Sequence, residues 1–524
     1  MSAFGTGIRR LCAVVAAPTA TEMAAQIQAA LRETPTIEVR LDWLRSDRER
    51  TRLLAWLRAH QPRRAIFLAT CRRRAGGGLF PGNIQSQLDW LRAAGEAGCS
   101  WVDLEAETMR KLPPESIAGL GLPRILLSLH DFRGKHKIDN GIFVSRSGWN
   151  EFHGVKIAIQ TSTVCDSFAL LGFALAASAR SRKSFLMAAR NWVVVPMGDV
   201  ALPARILALR YGSALAYAPV GDATAPGQVS LERMKHLYRA HQLTKRTRVY
   251  GVIGDPIGHS LSPVLHNTAF ISSKIDAVFL PFLVRDLPDF LRAIPDLGIG
   301  GFSVTLPHKQ SIIKHLEQCD SLAADIGAVN TVRVGRDGSL YGYNTDYLGV
   351  LRSLQRKLNL PRSRVLIFGA GGSARAAAFA LARAGAQVAI CARRVAAARE
   401  LASAVNAEVV PRRALRSESF DAILNTTPIG MYPLDRASPL DSRELHCRLV
   451  MDLIYTPEKT QLLKLAARKG IATISGAEMF LAQGIAQWEL WMKRRAPQAA
   501  MRRAVLAALH AQVPGRPAAP RGKR

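Results

Sequence analysis

Between Leu11 and Val220 the chain repeats one pattern, a short apolar run followed by a stretch whose apolar residues recur at helical spacing. That alternation predicts strands, each followed by an amphipathic helix, and hence a parallel sheet. The strand candidates are residues 11–17, 37–41, 65–70, 101–104, 125–129, 155–159, 193–196 and 214–218. Eight such units in succession suggest a (β/α)8 barrel, a fold that gathers its chemistry at the carboxyl ends of the strands. Past a polar joint at 241–248 the rhythm changes. Residues 249–253 and 365–368 each read as a buried strand entering a Gly-rich turn, and the second continues into a helix over 374–384 and a further strand over 387–391.

Polar residues at the ends of the first eight strands carry the chemistry. Glu38, Arg40 and Asp42 alternate, so they share one face, and three charges inside a barrel are costly unless they pair with one another or with a ligand. Arg72 ends the third strand, Asp103 and Glu105 the fourth, Ser128 and His130 the fifth. Lys156 lies mid-strand between Val155 and Ile157. Two readings stand for it: a side chain snorkelling to the rim, or a desolvated amine able to attack a ketone, with His130 one strand away to move protons.

The pattern Glu38-x-Arg-x-Asp42, Thr70-Cys-Arg72, Val102-Asp-Leu-Glu105, Ser128-Leu-His-Asp131, Val155-Lys-Ile157, Met197-Gly198 with Arg205, and Ala225-Pro-Gly-Gln228 resembles type I 3-dehydroquinate dehydratase. The resemblance implies that Lys156 forms an imine with the ring ketone of 3-dehydroquinate, and that His130 removes the neighbouring proton and assists loss of water. It assigns Glu38, Arg40, Arg72, Arg205 and Gln228 to the substrate's carboxylate and hydroxyls. Thr224 stands where the family usually has Ser, and Gly76 where it has a Glu near the catalytic histidine. The second departure bears on the tuning of His130, not on the imine.

In the second half, Ser260 and Ser262 flank a turn where hydroxyls either cap a helix or grip a carboxylate. Lys309 follows a strand and a Pro-His pair, which predicts a place in the first turn of a helix, where a cation is disfavoured unless a carboxylate such as Asp346 pairs with it. Gly369-Ala-Gly-Gly-Ser-Ala374 is Gly-x-Gly-x-x-Ala between strand and helix, the setting in which a backbone approaches a pyrophosphate. The next strand is followed by Arg393 and Arg394 rather than by an acidic residue, which favours a 2'-phosphate and so NADP(H) over NAD.

Together with Val304-Thr-Leu-Pro-His-Lys309, Asn330-Thr331, Asn344-Thr-Asp346, Asn425-Thr-Thr-Pro-Ile-Gly-Met431 and Asp452-Leu-Ile-Tyr455, these residues resemble shikimate dehydrogenase over 248–509. That resemblance implies Lys309 and Asp346 as the catalytic pair. It makes Ser260, Ser262, Thr305, Asn330, Asp346 and Gln483 substrate ligands. The cofactor ligands expected are Gly369, Ala370, Gly371, Gly372, Ser373, Arg393, Arg394 and Gly476. Ser303 and Ala392 replace Asn residues common in the family.

Composition adds limits. The 524 residues exceed one core and suit two to four domains, and 48% apolar content is that of globular proteins. The longest apolar run, 168–179, falls short of the ~20 residues that cross a bilayer. The first strand follows Met1 too closely for a signal or transit peptide, and seven cysteines without a CxxC pair suggest neither disulfides nor a zinc site. Both point to the cytoplasm. A net charge of +31 alone motivates a nucleic-acid-binding or regulatory reading, but the arginines are dispersed and only 514–524 is a compact basic segment, read as a disordered tail. No nucleic acid, membrane or metal is expected as a partner.

The expected organisation is α/β throughout: a dehydratase barrel at 10–240, a linker at 241–248, and an α/β substrate lobe at 249–350 completed by 477–509. A Rossmann-type NADP-binding lobe follows at 351–476, then a basic tail at 510–524. The two resemblances imply consecutive reactions in one chain, 3-dehydroquinate to 3-dehydroshikimate and then to shikimate with NADPH, as in plant-type bifunctional enzymes. The departure at Gly76 leaves open a chain active only in its dehydrogenase half, and the oligomeric state is open, a monomer included.

Overall fold

The eight apolar runs become eight parallel strands: β1 (Leu11–Val15), β2 (Thr36–Arg40), β3 (Ile66–Thr70), β4 (Trp101–Glu105), β5 (Arg124–Asp131), β6 (Gly154–Gln160), β7 (Trp192–Met197) and β8 (Ala216–Pro219). A computed structural model describes residues 3–60, 62, 64–112, 118–134, 152–180, 191–221 and 227–511. In the sheet the strands run in the order β7-β6-β5-β4-β3-β2-β1-β8. At the seam between β7 and β8 the Ala214 amide donates to the Trp192 carbonyl at 2.6 Å and the Val194 amide to the Ser213 hydroxyl at 3.1 Å. Residues 213 and 214 are spent on that closure, so β8 begins two positions later than the apolar pattern predicts.

Helices between these strands start where the sequence offers a cap. Thr19, Ser46 and Asn83 each accept a first-turn amide through the side chain, opening Ala20–Leu31, Asp47–Ala59 and Ile84–Glu96. Inside the barrel, Cys12, Leu68, Trp101, Leu126 and Val193 form an apolar floor, on which Phe4 stacks against Trp101 with ring centroids 4.4 Å apart. Two residues further along three of those strands, on the same face, stand Thr70, Asp103 and Ser128. The interior therefore turns from oil to charge within one step of the pleat.

The chain divides into two compact units, Met1–Thr247 with Phe282–Leu297, and Arg248–Pro281 with Gly298–Arg524. Helix Leu287–Leu297 thus belongs to the first unit. It buries Leu287, Phe290, Ala293, Ile294 and Leu297, and its Asp289 carboxylate accepts the amides of Val164 at 2.8 Å and Cys165 at 3.3 Å, capping helix Val164–Arg180.

The second unit has two sheets. One contains β9 (Arg248–Gly254), β10 (Ala277–Leu283), β11 (Ile299–Val304), β12 (Gln318–Cys319), β13 (Thr331–Val334) and β14 (Leu340–Tyr343), ordered β10-β9-β11-β13-β14-β12, with parallel and antiparallel neighbours. The other contains β15 (Arg364–Phe368), β16 (Gln387–Cys391), β17 (Glu408–Val409), β18 (Phe420–Asn425), β19 (Cys447–Asp452) and β20 (Ala472–Ile474), all parallel in the order β17-β16-β15-β18-β19-β20. That is the doubly wound dinucleotide-binding order, with its switch point between β15 and β18. Separate apolar clusters, one around Ile367, Ala377 and Leu401 and one around Leu366, Leu415 and Leu462, cover its two faces. Among the described residues no helix is long and apolar enough to cross a membrane. The predicted tail at 514–524 lies outside the described residues.

Candidate active sites

The first site opens at the carboxyl end of the barrel strands. A cavity of about 360 Å³ is lined by Glu38, Arg40, Arg72, His130, Lys156, Arg205, Tyr217 and Gln228 among others, which brings together all but one of the sequence-predicted residues of this half. Thr224 lies outside the described residues. Lys156 is only 6% exposed. Its Nζ donates to Asp103 Oδ2 at 3.0 Å and lies 3.5 Å from Glu38 Oε1. Asp103 also accepts from Ser128 Oγ at 2.6 Å and Arg72 Nη2 at 3.2 Å, while Glu38 accepts from Thr70 Oγ1 at 2.7 Å. Burial opposes ionisation of Asp103, but the charges of Lys156 and Arg72 overcome it and hold this carboxyl well below the usual range. The buried amine is therefore framed by strand residues on both sides, and the snorkelling reading fails.

Arg40 and Asp42 form a two-pronged pair at 2.9 and 2.8 Å, so these charges satisfy one another as required for an interior position. Arg205 donates through Nε to the Pro196 carbonyl at 2.7 Å, and burial lowers its pKa to about 10. His130 is partly exposed and stacks on Phe132 with centroids 5.9 Å apart. Its Nδ1 is buried and has no hydrogen-bond partner among the described residues. Burial first, then the charges of Arg72 and Lys156, push its pKa well below the ordinary value, which favours the neutral ring. Gly76 offers no side chain to orient it. A Cβ there would meet Glu105 Oε1 at 3.2 Å, but that carboxylate serves the Arg73 amide and the Gln87 side chain.

In the second unit Lys309 Nζ donates to Asp346 Oδ2 at 2.6 Å, and Asn330 Nδ2 to Asp346 Oδ1 at 2.8 Å. Asp346 opens helix Asp346–Leu354, where the helix dipole favours its charge. Lys309 is not in the first turn of a helix, as the sequence predicted. It lies within a turn over 306–310, in which the His308 amide donates back to the Thr305 carbonyl at 2.9 Å, and a 3-10 helix starts only at Ser311–His315. Pro307 cannot donate a backbone bond, and this tight turn frees the lysine from an unfavourable dipole.

The Ser260 hydroxyl accepts the Ser262 amide at 3.2 Å, and Ser262 begins helix Ser262–Ser272. Thr305 joins this loop system through its amide to the Ile253 carbonyl at 3.0 Å. Gln483, buried on helix Gly476–Met492, lies against Gly349 of the helix that Asp346 starts. One turn on stands Gln487, which belongs to none of the motifs. Its Oε1 accepts from Ser303 Oγ at 3.0 Å and pairs with His266 Nε2 at 3.2 Å, and its Nε2 donates to Thr331 Oγ1 at 3.0 Å. Thr331 in turn donates to Asn330 Oδ1 at 2.8 Å, which fixes the Asn330 amide with its nitrogen toward Asp346.

A cavity of about 560 Å³ at the switch point is lined by Gly369, Ala370, Gly371, Arg393 and Arg394, with Arg412, Thr426 and Thr427. Gly369 adopts φ +126°, and a Cβ would fall 2.4 Å from Thr426 Oγ1, so only glycine fits. Gly371 precedes helix Gly372–Arg383 without a side-chain cap, which leaves first-turn amides free for an anion. Gly372 and Ser373 are exposed in that first turn, and both arginines are exposed at the rim. Small residues, free amides and two cations fit a phosphorylated dinucleotide. Gly476 does not line this cavity. It starts helix Gly476–Met492, where a Cβ would press within 2.5 Å of the Leu453 and Ile454 carbonyls.

Comparison with known proteins gives matches in both units. The model of type I 3-dehydroquinase matches residues 11–245, that of the shikimate dehydrogenase substrate binding domain 252–332, and that of the shikimate 5'-dehydrogenase C-terminal domain 476–506. A bifunctional 3-dehydroquinate dehydratase/shikimate dehydrogenase, chloroplastic, of Arabidopsis thaliana is 31% identical over 487 residues, 88% of this chain and 78% of its own. A shikimate dehydrogenase (NADP(+)) of Bacillus anthracis is 43% identical over 256 residues, 47% of this chain and 92% of its own. Shikimate 5-dehydrogenase from Thermus thermophilus, solved in complex with NADP(H) and shikimate, aligns with 32% identity and a TM-score of 0.47, over 50% of this chain and 99% of its own.

Proposed function

The chain belongs to the family of bifunctional 3-dehydroquinate dehydratase/shikimate dehydrogenases, and from that membership we propose how its own residues divide the work. It is a shikimate-pathway enzyme with a 3-dehydroquinate dehydratase and an NADP-dependent shikimate dehydrogenase in one polypeptide. The observation that carries the division is the pair of lysines, one between two carboxylates in the first unit and one paired with a single carboxylate in the second.

In the barrel, Lys156 adds to the ring ketone and forms an imine, an electron sink that acidifies the neighbouring carbon. His130, held neutral, takes that proton and returns it to the departing hydroxyl, which leaves as water. Arg72, Arg205 and Gln228 bind the carboxylate and hydroxyls, and Glu38 and Arg40 border them. In the second unit Lys309 and Asp346 move the proton of the substrate hydroxyl, while Ser260, Ser262, Thr305, Asn330 and Gln483 hold the ring. NADPH, when bound, supplies the hydride. The amides after Gly371 would hold its phosphates, and Arg393 and Arg394 would select the 2'-phosphate.

The units of function are 10–240 for dehydration, 249–350 with 477–509 for the second substrate, and 351–476 for the cofactor. The cytoplasm is the compartment that suits seven free cysteines. Supplying 3-dehydroquinate and NADPH to the purified chain and following shikimate by chromatography tests the whole reading. Accumulation of 3-dehydroshikimate without shikimate, or no turnover of 3-dehydroquinate by folded protein, would each reject one half of it.

A further inference from the structure

Tyr217, on β8, carries none of the motifs, yet its ring centroid lies 4.3 Å from Lys156 Nζ. Its hydroxyl is buried without a hydrogen-bond partner among the described residues, so the ring face, not the phenol, is what the lysine meets. Burial, reinforced by the charge of Glu38, keeps the phenol from ionising, and the ring therefore acts as a neutral quadrupole.

The other two neighbours of Nζ are carboxylates, Asp103, hydrogen-bonded at 3.0 Å, and Glu38, at ion-pair distance, 3.5 Å, and a carboxylate is best met through N–H groups. An ammonium has three. When ammonium and ketone become a protonated imine and water, two of the three protons depart with the carbonyl oxygen, a carbon–nitrogen double bond replaces the carbon–oxygen one, and a single N–H remains. The positive charge persists while the hydrogen bonds to one carboxylate are lost. Attraction to an aromatic face requires charge but no particular N–H.

We propose that the face of Tyr217 is a catalytic element of the dehydratase site, holding the cationic nitrogen of the covalent intermediate when it can no longer bond to both Asp103 and Glu38. The inference rests on the imine assigned to Lys156.

The test uses the full chain with 3-dehydroquinate and borohydride, reading adduct formation at Lys156 by peptide mass together with steady-state dehydration. Tyr217→Met and Tyr217→Leu, which remove the ring face, lower the trapping rate and kcat for dehydration about 3- to 30-fold with little change in KM. The conservative variant Tyr217→Phe recovers the loss, and its thermal midpoint is equal to or above wild type because an unpaired buried hydroxyl is gone. Equal rates in Met, Leu and Phe variants would overturn the proposal, as would a Phe variant as slow as the Met one, which would assign the effect to the hydroxyl. Absence of any adduct on wild-type Lys156 is a different result, since it rejects the imine and the role of Tyr217 with it.

Discussion

Two lysines stand at the candidate active sites of this chain, and their surroundings differ in almost every respect. Lys156 stands in the middle of a strand, 6% exposed, between carboxylates that come from two other strands. Lys309 lies in a turn, its side chain 25% exposed, and meets one carboxylate at a helix start. A covalent nucleophile must be held still and kept from water through several steps, and a barrel strand does this with neighbours fixed by the sheet. A group that passes a proton in each turnover needs exchange with solvent and one partner to steady it. In the proposed division of work, element and burial rather than residue type set the two lysines apart.

The sharpest way to break this comparison is to remove each lysine alone. Lys156→Ala abolishes borohydride trapping and lowers dehydration on the order of a million-fold, as deletion of a nucleophile does elsewhere, while shikimate oxidation by the same sample is unchanged. His130→Ala, in contrast, keeps the trapped adduct. Lys309→Gln lowers shikimate oxidation by about a hundred- to a thousandfold, the scale of lost acid–base assistance, and leaves dehydration untouched. Cross-effects in either variant, measured in separate assays for the two steps, would mean that the sites are not independent.

A smaller effect in the second unit is read from the pH dependence of stability. Burial lowers the pKa of His266 to about 3 against an ordinary value near 6.5. The unfolded chain then binds a proton that the folded second unit does not, so stability present above pH 6.5 is lost as pH falls toward 3, by up to about 1.4 kcal/mol per pH unit. Urea titrations from pH 7 to 4 should show this slope in the wild type and a flatter one in His266→Gln.

Much of this was legible in the sequence, and the reason is local. Strand and helix alternation, the Gly-rich turn after β15 and the lone Lys156 between Val155 and Ile157 are all encoded within a few residues. What escaped depends on pairing across the fold. Asp103 meets Lys156 across a separation of 53 positions, and Tyr217 reaches it from the last barrel strand. Gln487 contacts Ser303 and Thr331 one helical turn beyond the predicted Gln483, and Arg412 enters the cofactor cavity from beyond β17. A turn-borne Lys309 reads as a helical one because Pro-His after a strand fits a helix start as well as a tight turn. Period and propensity describe one element at a time, whereas these contacts are set by the register between elements.

Helix Leu287–Leu297 gives the chain an unexpected grammar. It is spelled out well after the joint at 241–248, yet it folds as part of the first unit, and its Asp289 caps a helix there. A gene split at the joint would therefore produce a first fragment missing a sentence written in the second, with the amides of Val164 and Cys165 left without their acceptor. A cut at the joint therefore divides the first unit, although the stretch that matches the shikimate dehydrogenase substrate binding domain, 252–332, also spans this helix, so the one segment serves both halves.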